Sequence, residues 1–111
     1  MTVTYDDFAR IDIRVGTVID ARAHATAKKP ALVLSIDFGA EIGRKTSSAQ
    51  LTRHYAAEAL IGRQVIAVVN FPSRQIGPVK SEVLVLGLPD ADGAVVLVTP
   101  DHPVPDGGKL F

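Results

Sequence analysis

Period two dominates the pattern of apolar and polar positions along this chain. Ile11, Ile13 and Val15 alternate with Asp12 and Arg14, the spacing of a strand with one buried face. Gly16 interrupts a run that continues through Val18 and Ile19. A glycine inside a strand marks a bulge or the sharp bend of a small barrel, so one long, bent first strand is expected. A break at residues 27–30 precedes a second alternating strand, with Leu32, Leu34, Ile36 and Phe38 on one face and Val33, Ser35 and Asp37 on the other. Gly39 and Gly43 bracket the next turn.

Residues 44–51 read as a third strand with unequal faces. Lys45, Ser47, Ala49 and Leu51 share one parity; with Ala49 and Leu51 inward, Arg44, Thr46, Ser48 and Gln50 form an outward ladder of hydrogen-bonding groups. Only residues 55–60 look helical, rich in Ala and Glu, with Thr52 as a cap and Gly62 as a left-handed stop. Residues 64–71 read as a buried strand, 72–78 as a loop and 81–88 as a second buried strand. Asp92-Gly93 signals a turn into a short strand at 94–98. The tail from 99 to 111 carries Pro100, Pro103, Pro105, Gly107 and Gly108, which favours an extended path. Its apolar end, Leu110-Phe111, implies docking on the barrel or on a second subunit.

Three strands, one short helix, two long strands and a small hairpin describe an all-β chain. The arrangement predicts a five-stranded OB-fold, a partly open Greek-key barrel with its helix between strands three and four. An SH3-like barrel offers no natural place for that helix. With 111 residues the chain forms one domain, and its 47% apolar content excludes a disordered polymer. No apolar run is long enough to span a bilayer, and the first residues lack an export signal, so a cytoplasmic location is expected.

Charge changes this picture because it is segregated. The chain has no formal net charge, yet residues 41–80 hold six cations, Arg44, Lys45, Arg53, Arg63, Arg74 and Lys80, against Glu41 and Glu58, a net of +4. Residues 81–111 hold Lys109 against Glu82, Asp90, Asp92, Asp101 and Asp106, a net of −4. A localised positive surface attracts phosphate or acidic partners even on a neutral protein.

Catalytic and metal chemistry find little footing. Cysteine is absent, and His24, His54 and His102 are scattered without a ligand-pair spacing, so they read as surface histidines. Ser47 and Ser48 lack the glycines of a nucleophile elbow. Asp6 and Asp7 suit helix capping, and no phosphate-binding glycine loop occurs. The expectation is a non-catalytic binding protein without a cofactor or metal. OB-folds bind ligands on strands two and three and the adjoining loops, where the ladder Arg44, Thr46, Ser48, Gln50 falls, followed by Arg53; Arg74 and Lys80 follow on a later loop. Aromatics are sparse, 5% of residues, which favours recognition of RNA shape over base stacking, with Phe38 or Phe71 as the available platforms. The loop at 70–78 points elsewhere: Phe71, Pro72, Ile76 and Pro78 beside Arg74 make an apolar lip suited to an extended peptide. Phe38, Phe71, Arg74 and Ile76 are the candidate peptide-binding residues.

Five segments carry a family resemblance: Asp12-Ile13-Arg14-Val15-Gly16, residues 36–43, Ser47-Ser48-Ala49-Gln50, residues 65–72 and residues 80–87. Together they resemble the stand-alone CsaA-type proteins of the tRNA-binding OB-fold family, whose members are also appended to methionyl- and phenylalanyl-tRNA synthetases. The resemblance implies a homodimeric secretion chaperone, its dimer built partly from N- and C-terminal extensions, that binds unfolded preproteins, the export motor SecA and tRNA. Carried over residue by residue, it implies RNA-binding positions at Arg44, Lys45, Ser48, Gln50, Arg53, Arg74, Lys80 and Ser81. The neutral total departs from the basic character of many relatives and leads us to expect modest tRNA affinity.

Overall fold

In the computed structural model, which describes residues 1–24 and 28–111, strand β1 (Ile13–Ala23) is the spine of the molecule. Its first half pairs antiparallel with β4 (Gln64–Val68), from Ile13↔Val68 to Thr17↔Gln64. Its second half pairs with β2 (Leu32–Asp37), which in turn pairs with β3 (Arg44–Ala49). With β7 (Leu84–Val85) beside β4, the main sheet has the order β3-β2-β1-β4-β7 and curls into a nearly closed barrel. The long bent first strand is present, and its cause is divided between two sites. The register slips at Ile19, between the pairs Val18↔Ile36 and Asp20↔Ser35, which is the bulge. Gly16 is required for a different reason: a Cβ there would lie 2.6 Å from Ile36 Cγ2 and 2.8 Å from Phe38 Cδ1, so its absence lets β2 side chains close over β1.

Period two translates directly into the core. Leu32, Leu34, Ile36 and Phe38 are buried with Val18, Leu51, Leu60, Val65, Ala67, Val83 and Leu97. On the other side of the β1–β4 pair, Ile13, Val15, Ile66 and Val68 make a second apolar cluster, flanked by half-buried Phe8, Leu86 and Val98. Two clusters arise because β1 and β4 carry apolar residues on both faces.

Several boundaries differ from the sequence expectation. The predicted loop at 72–78 is the first arm and turn of a hairpin, β5 (Arg74–Ile76) turning at Gly77-Pro78 to pair with β6 (Val79–Ser81). The buried strand expected at 81–88 is broken because its residues change partners: β6 joins β5, β7 joins β4, and β8 (Gly87–Pro89) joins β9 (Val95–Leu97). The helix expected at 55–60 shortens to Ala57–Leu60, whose N-cap is Ala56 with no side-chain cap bond, so Thr52 does not cap it. Two further short helices appear, Tyr5–Ala9 and Gly39–Ile42. The first is held by a capping box in which Thr4 and Asp7 bond each other's amides. Residue 27 of the expected break lies outside the described residues.

The tail docks on the barrel. Residues 107–110 run beside the first half of β1, with Gly107 N donating to Val15 O, Val15 N to Gly108 O and Leu110 N to Ile13 O. Thr17 donates to Asp106 Oδ1 at 2.7 Å, and Arg14, ion-paired to Asp12 at 2.6 Å, also donates to Gly107 O. Gly107, at φ 91°, lies so close to Phe38 O that a Cβ would be 2.6 Å away. Tyr5, Leu110 and Phe111 nevertheless stay exposed.

Candidate functional site

Alternation along β3 turns Ser47 into the core, almost completely buried opposite Leu34, and turns Ser48 outward. The Ser48 hydroxyl is held by His24 Nδ1 at 2.8 Å, while the Ser48 amide donates to Ser81 Oγ at 3.0 Å. One step along the strand, the Thr46 amide donates to Glu82 Oε1 at 3.1 Å. These bonds draw the β5–β6 hairpin against β3. At the same open end of the hairpin, where Arg74 pairs with Ser81, Asn70 ties the approach to the chain before β1, accepting from Asp12 N and donating to Arg10 O. Phe71 and Pro72 therefore stand at a fixed base.

Between hairpin and strand lies a groove of about 250 Å³, lined by Ser48, Phe71, Pro72, Arg74, Ile76 and Ser81, with residues 82–84 closing it. Phe71 and Leu84 are each 50% exposed, while Ile76 is partly buried. Arg74 and Lys80 have no carboxylate partner among the described residues. The groove thus combines an apolar wall, the unpaired Arg74 and a polar floor, and it gathers Phe71, Arg74 and Ile76 with Ser48 and Ser81; Lys80, paired with Gln75, lies on the opposite face of the hairpin.

Other predicted positions lie elsewhere. Phe38 is a correction: its ring has no exposed surface, packed in the core against Gly16, and is unavailable to a peptide or a base. Arg44 and Lys45 sit at the start of β3, opposite Asp37 and Ile36, about 20 Å of extended chain from Gln50. Gln50 and Arg53 line a second cleft of about 340 Å³ with Lys29, Thr52 and Asp92. Arg63 stacks over the Tyr55 ring at 5.5 Å. The basic stretch of the sequence is therefore divided among several surfaces.

His24 is a second correction. It is 6% exposed instead of lying at the surface, and its Nε2 is buried without a partner among the described residues. Its role is to orient Ser48. Strand parity carried no signal of this, since Asp20 and Arg22, on the same parity of β1, are exposed. His54 bonds Asp90 at 2.6 Å, and this bond, with the amides of Ala94 and Asp92, holds the Asp90 carboxyl below the usual carboxylate range. Among the described residues no cluster of three or more His, Asp or Glu is placed to hold a metal, and no helix is long and apolar enough to cross a membrane.

Residues 13–109 match the tRNA binding domain family. The chain belongs to that family. The tRNA binding domain here is 48% identical to chaperone CsaA from Bacillus anthracis, covering all of both chains with a TM-score of 0.92. It is 50% identical to the CsaA chaperone protein from Picrophilus torridus, over 99% of this chain and 100% of that one, with a TM-score of 0.91. Among curated relatives, methionine–tRNA ligase of Porphyromonas gingivalis is 35% identical over 97% of the chain, yet the chain spans only 15% of that protein's length.

Proposed function

We propose that the protein is a non-catalytic peptide-binding chaperone that takes exposed segments of unfolded preproteins in the groove beside Ser48. The observation that carries this reading is the pairing of exposed Phe71 and half-buried Ile76 with unpaired Arg74 around one opening. Apolar side chains of the client bury against Phe71 and Ile76, and Arg74 holds an acidic group or a carbonyl. The likeness to the two CsaA chaperones supports the same reading. Under it, the export motor SecA is a partner to test by co-purification. The dimer expected from the resemblance has a ready surface: an apolar hollow of about 400 Å³ lined by Val15, Ile66, Val98, Leu110 and Phe111, next to exposed Tyr5. Sedimentation of wild type against Leu110→Asp with Phe111→Asp tests it, a monomer being expected for the variant. In the peptide test, Phe71→Ala with Ile76→Ala weakens binding about tenfold while the thermal midpoint holds. Unchanged affinity refutes the groove as the peptide site.

The family match and the cations Arg44, Lys45, Arg53, Arg74 and Lys80, none ion-paired among the described residues, favour tRNA as a second ligand. About six phosphate contacts would give log affinity a salt slope of roughly −5, whereas a peptide held by apolar contact responds far less. Parallel titrations with tRNA and peptide separate the two, and a flat tRNA response sinks the electrostatic version.

A further inference from the structure

The edge of β3 that faces the hairpin is filled by main chain: Glu82 N donates to Thr46 O at 2.7 Å, and Val83 beside it is buried in the core. What stays open is the groove in front of that seam. Arg74 and Ser81 stand directly opposite each other in the β5–β6 pair and so share one face, and both line the groove with Ser48. Ser81 Oγ accepts from the Ser48 amide at 3.0 Å, which leaves the Ser81 proton to donate. The Ser48 hydroxyl is in the same position. Its 2.8 Å bond to His24 Nδ1 admits two tautomers, and protonation at Nδ1 is the one that strands no buried N–H, since Nε2 has no partner among the described residues. Ser48 then accepts from the ring and keeps its proton for the groove. One guanidinium without a carboxylate partner among the described residues, and two hydroxyl protons, are therefore offered to whatever enters.

Resting on the peptide reading above, we infer that the groove takes the C-terminal end of a client: Arg74, Ser81 and Ser48 hold its α-carboxylate, and its last side chain packs against Phe71, Ile76 and Leu84. Charge sets the number of negative groups at one. Among the described residues Arg74 is the single cation on the lining, and Glu82 stands there too, its Oε1 held by the Thr46 amide. A nucleic-acid backbone, charged at every nucleotide, meets one cation and one carboxylate in this groove and gains little. A lone carboxylate gains a planar fork that matches its two oxygens, together with hydroxyl donors, and charge-assisted bonds of this kind are the strong ones. Space points the same way. The volume of about 250 Å³ falls below the roughly 300–1,000 Å³ of sites that enclose drug-sized ligands, which is room for a terminal residue and not for a long segment. Phe71 and Leu84, each half exposed, form an apolar wall, so the last residue is apolar. A chain end is also a feature that every unfolded client carries whatever its sequence, and a terminal carboxylate is a general handle for peptide capture.

The test uses two hexapeptides of one sequence, Gly-Ser-Gly-Ser-Val-Leu, labelled with a fluorophore at the N-terminus and read by anisotropy against the full chain. One ends in a free carboxylate and the other in a carboxamide. The free acid should bind about tenfold or more tighter than the amide, the size expected for hydrogen bonds to a charged group. Equal affinities overturn end recognition while leaving the groove a peptide site. Failure of both peptides to bind at millimolar concentration overturns both readings. On the protein side the readout is the acid-to-amide ratio, which a general loss of folded protein does not alter. Arg74→Gln, at an exposed position, should bring the ratio close to one; a preference that survives this change puts the carboxylate elsewhere and overturns the assignment. Ser48→Ala keeps the amide that reaches Ser81 and should lower the ratio several-fold, and an unchanged ratio removes Ser48 from the site. Shifts of the Ser48 and Ser81 amide resonances on adding a short RNA, but not on adding the free-acid peptide, would assign the groove to nucleic acid and overturn the inference.

Discussion

Gly16→Ala isolates the contact on which the barrel's curvature depends. The added methyl would lie 2.6 Å from Ile36 Cγ2, 2.8 Å from Phe38 Cδ1 and 2.9 Å from Phe38 Cε1, against an optimum near 3.5–4.0 Å for carbon pairs. Ile36 and Phe38 have no exposed surface, so neither side chain has solvent into which to move. Alanine gains roughly 0.4–1 kcal/mol through the unfolded chain, because the Gly16 backbone is not in the left-handed region. Overpacking costs about 1–3 kcal/mol, and three short contacts on two immobile side chains put it toward the upper end. The expected net is about 2 kcal/mol of destabilisation, or roughly 8 °C in thermal midpoint for a domain of this size. Denaturant unfolding of Gly16→Ala, Phe38→Leu and the double variant gives the coupling. Because leucine lacks Cε1 and can swing its Cδ1 away where a rigid ring edge cannot, part of the clash is relieved while the Ile36 contact stays, and the double variant should be about 0.5–1 kcal/mol more stable than additivity predicts. A Gly16→Ala protein as stable as wild type, or strict additivity, would refute the claim that Gly16 is held by ring packing.

Gly107→Ala should detach the tail, since a positive φ and a Cβ 2.6 Å from Phe38 O both oppose it; faster exchange of the Val15 amide, which donates to Gly108 O, is the readout. His24→Ala removes the Ser48 partner and leaves a small hole, for an expected loss of about 1–3 kcal/mol in chemical denaturation. Asp90 has a folded pKa depressed chiefly by His54, so its stabilising effect is full above the unfolded carboxylate pKa and disappears as pH falls through the folded value. Thermal midpoints measured across the acid range should therefore fall less steeply for Asp90→Asn than for wild type, and identical slopes would show that the His54–Asp90 bond does not stabilise the fold.

The β-rich class, the five-stranded barrel, the parity of the β2 core residues and the outward turn of Arg44, Thr46 and Ser48 on β3 were all legible in the local pattern. These follow from period two, which each strand displays locally because one of its faces meets the core. Phe71, Arg74 and Ile76, which line one groove, stand out as a group because an apolar loop beside a cation is legible without knowing its partner, whereas Ser81 entered only through the family resemblance. Adjacency was not legible there and came from the fold. Phe38 and Phe71 look alike in sequence, yet the first closes over Gly16 and the second stands at the groove. The fifth strand reads as continuous, but its residues serve three partners in turn and so break. His24 looked like a surface histidine until the length of β1 carried it to Ser48. Charge that is contiguous along the chain was dispersed by folding, because neighbours in sequence on a barrel diverge to opposite ends of a strand. Long-range pairing sets these outcomes, and no local pattern encodes which distant residue will arrive.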